Sequence, residues 1–307
     1  MIVEVIDMEE FDYSAVQKEF TRVMIATGSR LDREWPERRY PVDSARLTIL
    51  TLFRLAVDFH DAVIYLCYDE NRYADWHRFY CLTSPPLNRT ILEIIVSVLY
   101  LLEDLGTHTR LFYKAVWREK KETIEHNKKH YAGQPKWDEY IALAEQNAAK
   151  LEAGLITPEE KANLHNILRW PSISKVIKRL KRKNPELVAF IEYLDDWLYR
   201  ELSSLAHAQP LGFMEMSAYF VGKHDLNGLP AVDAESELTS ALKMFRTKQM
   251  WIAMTLLLSL ASEIEIHFRF SHEQDLSFLW IMFNNYSDIP KEIYERRYAE
   301  VLVPTRG

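Results

Sequence analysis

The sequence predicts an all-α protein, a multi-helix bundle around a central apolar helix, and three observations carry that expectation. Glycine occurs only 8 times in 307 residues, which leaves few positions that take positive φ cheaply, whereas sheet-rich folds need many such turns. The 12 prolines fall mostly between apolar segments, where they mark helix boundaries. Several of those apolar segments repeat at helical spacing. Hydrophobic residues at 48% and charged residues at 27% lie far from the composition of disorder, so the whole chain, 1–307, is expected to fold as a single helical domain.

The elements follow in order. Roughly Ser14 to Arg33 is an amphipathic helix. Asp43 is a good N-cap for a second helix to about Tyr68, with Ile49, Leu52, Phe53, Leu55, Ala56 and Val63 at helical spacing. Ser84, Pro85 and Pro86 open a third, because proline fits the first turn, where its missing N–H is harmless; it runs to about Asp104. His108 to Tyr131 is helical and basic, Gly133 to Pro135 separates it from a helix to about Ala153, and Thr157, Pro158 and Glu160 form a capping box. Trp170-Pro171 breaks the chain, and Asn184-Pro185 caps a helix through His207. Gly212 to Pro230 reads as a short helix and a loop. Asp233 or Ser236 then starts the longest helix, to about Phe270, apolar on every side in its middle and therefore central. A helical pair, about 273 to 286 and 291 to 299, follows. The stretch 134–184 reads as a peripheral helical insertion.

Composition also narrows function. The longest uninterrupted apolar run, Met250 to Ala261, is shorter than the roughly 20 residues of a bilayer span, and the acidic N-terminus lacks the character of a signal peptide. A cytoplasmic location without membrane partners is expected. Cys67 and Cys81 are the only cysteines, in no Cys-x-x-Cys pair, and read as reduced thiols. A formal charge of −7 argues against wholesale binding of nucleic acid, though basic runs at Lys175 to Lys183 and Lys114 to Lys129 concentrate charge locally. Glycine-rich nucleotide loops, nucleophile elbows and His-Glu-x-x-His are missing from the sequence, so no nucleotide cofactor is expected. None of the ten histidines follows a glutamate by three residues, so no metal is expected either. Glu263 with His267 and Glu122 with His126 read as local helix pairs.

Two polar sets interrupt otherwise apolar helices. In Ile91 to Leu102 the one charge is Glu93, expected to be buried, with Arg89 one turn before it on the same face. In the helix from Leu187 to His207 an apolar stripe contains Leu187, Phe190, Ile191, Leu194, Trp197, Leu198, Leu202 and Leu205. Tyr199, Ser203 and His207 follow one another at steps of four, and Arg200 lies seven residues before His207, within about 20° on an ideal helix. Together they form a polar stripe opposite the core. A histidine that moves the 2′-hydroxyl proton and an arginine that stabilises phosphate charge suit metal-free RNA cleavage. The same residues also suit a hydrogen-bonded network that fixes how two helices meet.

The combination NRTILEIIVSVLYLLED and YRELSSLAH resembles a bacterial family of helical proteins catalogued as a domain of unknown function, over about residues 42–210. Its Arg-x-x-x-Glu and Tyr-x-x-x-Ser-x-x-x-His motifs correspond to Arg89 and Glu93, then Tyr199, Ser203 and His207. More distantly, Arg200 and His207 resemble the Arg-x4-6-His motif of HEPN ribonucleases, although the polar residue that usually follows the arginine is Glu201 here, an atypical choice that puts a negative charge near the phosphate. That resemblance implies a cofactor-free RNA-cleaving or RNA-binding defence or toxin protein, acting as a homodimer. Arg200 would be its phosphate clamp and His207 its proton-transfer group, with Tyr199, Ser203, Arg89 and Glu93 in support. The alternative is a non-enzymatic helical interaction or ligand-binding protein.

Overall fold

The computed structural model describes residues 13–36, 43–68, 77–152, 154–206 and 231–302. Among these no strand occurs, and the all-α bundle follows directly. The helices are α1 (Tyr13–Arg33), α2 (Asp43–Tyr68), α3 (Ser84–Glu103), α4 (Leu105–Tyr131), α5 (Pro135–Glu152), α6 (Pro158–Ala162), α7 (Ile173–Lys183), α8 (Val188–Tyr193) and α9 (Arg200–Ala206). They continue with α10 (Ala231–Phe268), α11 (Glu273–Asn284) and α12 (Asp288–Ile293). The expected short helix between Gly212 and Pro230 lies outside the described residues.

Local chemistry accounts for most boundaries. Thr157 and Glu160 exchange both capping-box hydrogen bonds at the head of α6, satisfying N–H groups that the helix cannot. Asp104 accepts from the Thr107 N–H at 3.1 Å and starts α4 three residues earlier than His108. Ser84 does not cap α3; its hydroxyl donates to the Cys81 carbonyl, while Pro85 and Pro86 occupy the first turn.

Around α10 pack α1, α2, α3, α11 and α12, and residues such as Ile252, Ala253, Leu256, Leu257, Leu260 and Ile264 are completely enclosed. Its serines fit that setting because Ser259 and Ser262 donate to the carbonyls of Thr255 and Leu258 four residues back, at 2.8 Å each. Two helical stretches, Tyr80–Glu103 and Thr239–Phe268, are long and apolar enough to cross a membrane; 61% and 89% of their apolar windows are buried inside the fold. A central bundle helix meets the same test of length and composition.

A second, smaller core joins α4 and α5: Trp117, Ile124, Ile141, Ala148 and Ile167 pack together apart from the main one. Within this arm Arg118 is buried, bonded to the Ile167 carbonyl and, at 2.8 Å, to Glu122. Glu122 also receives Arg169 at 2.9 Å, so the carboxylate is held by two guanidiniums.

Candidate functional site

The helix expected to run from Asn184 to His207 is built in three pieces. After α8 the turns widen into a π-helix at Leu194–Tyr199 before α9 resumes. Leu194, Leu198 and Leu202 are all buried and each four residues apart. On a 3.6-residue turn such a row drifts about 40° per step, and the wider π turn holds it against the core. The same widening leaves Trp197, counted in the apolar stripe, only half-buried, with Lys248 Nζ of α10 5.7 Å from its ring centroid.

α9 and the preceding π turn lie against α3, and the two polar sets meet there. Arg89 Nε donates to Glu93 Oε1 at 3.0 Å, and its Nη2 donates to the Tyr199 hydroxyl at 3.0 Å. The Arg89 guanidinium carbon is also 5.0 Å from the Tyr199 ring centroid, within cation–π range. One cation thus ties α3 to the end of the π turn that leads into α9. Glu93 is not buried as expected: its side chain is 35% exposed and that of Arg89 18%. The apolar residues around Glu93 cover the other faces of α3 and leave its own face at the edge of the α9 contact.

Arg200 does something else. Its side chain is 76% exposed and lies 3.4 Å from Asp196 Oδ1. Glu201 is ion-paired with Lys248. Tyr199 leans on the main core and turns to Arg89, and Ser203, one turn on, is half-buried. The polar stripe opposite the core is therefore split: Tyr199 belongs to the interhelix contact and Arg200 to the outer surface. His207 lies outside the described residues.

The basic runs divide in the same way. Upstream, Lys114 pairs with Glu160, Arg118 is buried, and Lys128 lies 2.6 Å from Glu145. On α7, Arg179 is held by Glu103 at 2.7 Å, whereas Lys175, Lys178, Arg182 and Lys183 are exposed and make no ion pair among the described residues.

Two acidic sites went unread in the sequence. Glu263, paired above with His267, instead accepts both Arg297 Nε at 2.7 Å and Nη2 at 3.1 Å, with side chains only 4% and 8% exposed. Glu265 is buried and accepts the His272 N–H at 3.2 Å. Between them, Arg269 and Ser271 both adopt the left-handed region, at φ 60° and 61°, strained for residues other than glycine. Among the described residues no cluster of His, Cys, Asp and Glu could hold a metal ion.

Set against family models, curated proteins and solved structures, the chain matches none. The two resemblances rest on their short motifs alone.

Proposed function

We propose that this chain is a non-enzymatic helical binding protein, in which Arg89, Glu93 and Tyr199 fix the packing of two helices. The observation that carries this reading is the commitment of the Arg89 guanidinium. It spends hydrogen bonds on Glu93 within α3 and on Tyr199 across the contact, the use expected of a polar group that sets how helices meet. Arg200, one of the two groups assigned to catalysis, stands apart from it on the outer surface beside Asp196. A carboxylate at that distance competes for the guanidinium with any incoming phosphate.

A second reading is metal-independent RNA cleavage or RNA binding by Arg200 and His207 in a homodimer of a cytoplasmic defence protein. The face of α7 favours it, because Lys175, Lys178, Arg182 and Lys183 present unpaired charge to solvent and would attract a phosphate backbone in a salt-dependent way. Incubation of purified wild-type protein, Arg200→Ala and His207→Ala with total RNA separates the two. The first reading expects intact RNA with all three proteins. Degradation by the wild type that both folded variants abolish would overturn it in favour of the second.

A further inference from the structure

A groove of about 600 Å³ runs between α1 and α2. Its apolar lining is Phe20, Met24, Phe53, Val57 and Leu257, and Gly28 lies beside it with Phe53 Cε1 3.4 Å from where a Cβ would sit. The two helices pair antiparallel: Asp32 near the end of α1 lies against Arg46 near the start of α2, while Phe20 packs tilted on His60 further along, with ring centroids 5.0 Å apart. One end of the groove is therefore lined by Arg33 and Arg54 together with Asp32, whose charge Arg46 offsets, and the other by Asp58, His60 and Asp61.

The acidic end is a constructed environment. His60 is 3% exposed, yet it is the one imidazole on an otherwise apolar face of α2 that holds Phe53, Ala56, Val63 and Cys67. Its Nδ1 lies 2.9 Å from Asp61 Oδ1. An ionised carboxylate only accepts, so Nδ1 carries the proton, and in the neutral ring Nε2 is an acceptor. Nε2 is buried without a hydrogen-bond partner, an uncommon and costly state for a polar atom. Nε2 is enclosed and out of reach of solvent, whereas Asp58 is exposed and unpaired among the described residues, so this end offers the groove two carboxylates, with His60 fixing the one on Asp61.

We propose that this groove binds an elongated zwitterion, with an ammonium between Asp58 and Asp61, an apolar body along Phe20, Met24, Phe53 and Val57, and a carboxylate toward Arg33 and Arg54. An ammonium has three donors and no acceptor, the complement of that end. Arg33 and Arg54 make no ion pair among the described residues and supply the opposite charge. Seven residues of α2 separate Arg54 from Asp61, about 10 Å along the axis, which sets the length of the ligand. The proposal rests on reading the chain as a binding protein and names what it binds.

The test is calorimetric titration of the full chain with ω-aminooctanoate, beside octylamine and octanoate, which each lack one charged end. The zwitterion is expected to bind more tightly than either. Asp58→Asn combined with Asp61→Asn, both at exposed positions, should weaken it roughly fivefold or more. Gly28→Leu, which places a side chain against Phe53, should abolish it; circular dichroism checks that this variant folds, and the asparagine variant carries the test if it does not. Absence of binding by wild type, equal binding of octanoate, or unchanged affinity in the folded asparagine variant would each overturn the proposal. None of these outcomes touches the α3–α9 reading, which RNA cleavage through Arg200 would overturn without bearing on the groove.

Discussion

Two arginine–glutamate pairs in this molecule share their residue types and differ in almost every physical respect. Arg297 and Glu263 meet across 34 residues between the π turn that follows α12, Tyr294–Tyr298, and the enclosed C-terminal part of α10, with two hydrogen bonds and almost no solvent. Arg89 and Glu93 are one turn apart on α3, share one hydrogen bond, and stand partly in water at the edge of α9. A carboxylate buried in α10 must be neutralised or protonated, so Arg297 is obligatory. Glu93 keeps part of its hydration, and Arg89 gains its importance from Tyr199.

The sharpest way to break this comparison is to remove one partner from each. Arg297→Ala leaves Glu263 buried without its cation and is expected to destabilise by about 3–5 kcal/mol. Arg89→Ala, with its partners half-exposed, should lose only about 1–2 kcal/mol. Urea unfolding of both variants measures the difference, and similar losses would mean that burial does not separate the two sites. Tyr199→Phe should reproduce a large share of the Arg89→Ala loss, since it deletes the interhelix bond and keeps the ring under the guanidinium.

The nearby loop supplies a prediction in pH. Burial, the main cause, holds the Glu265 carboxyl above its ordinary range, partly offset by the backbone N–H of His272. The native state then binds this proton more tightly than the unfolded chain. Its contribution to stability is present below the ordinary carboxylate value and is lost as pH rises through the raised one. Burial also lowers the His272 imidazolium below 6.5, the nearby Asp275 opposing it, so stability from that group is present above its ordinary value and lost as pH falls. Glu265→Gln removes only the first effect. Relative to wild type, the variant should gain stability as pH rises above the ordinary carboxylate range; a difference that stays constant as pH rises would show that burial does not raise Glu265.

Cysteine reactivity gives a smaller effect of the same origin. Burial pushes the Cys67 thiol up to about 12, with Cys81 adding to the shift. Thiolate is therefore scarce at neutral pH, and alkylation of Cys67 in native protein should be slower by orders of magnitude than in urea. Rapid native labelling would mean that this part of α2 opens readily.

Much of the fold was legible in the sequence because its signals are local. Pro85 and Thr157 with Glu160 act within one turn, and helices begin at or within a few residues of Asp43 and Asn184-Pro185, although the Asn184 amide donates to Glu103 and caps nothing. The apolar middle of α10 announced a central helix for the same reason. What could not be read are pairings set by packing. Nothing near Arg297 points to Glu263, and the buried Arg118 sits in a run that looks uniformly solvated. The π turn at Leu194–Tyr199 needs the core as its partner, and Tyr199 and Arg200, read as one stripe, are neighbours about 100° apart on a helix, so packing turns one to α3 and the other to the outer surface. At the candidate site the sequence named Arg89, Glu93 and Tyr199 and left their joining to tertiary contact. His60 had a readable signal, a histidine in line with Phe53, Ala56 and Val63, but the groove it lines exists only once α1 folds back along α2.

The smallest expected effect tests the outer surface. Arg200→Ala removes one exposed ion pair with Asp196, and such pairs contribute about 0–1 kcal/mol. Its unfolding midpoint should stay close to wild type, in contrast to Arg89→Ala. That near-neutrality makes Arg200→Ala a clean functional probe, because any change in RNA handling cannot be traced to misfolding. A large loss of stability instead would place Arg200 inside the α3–α9 network, and the division between an inner structural contact and an outer free surface would fall with it.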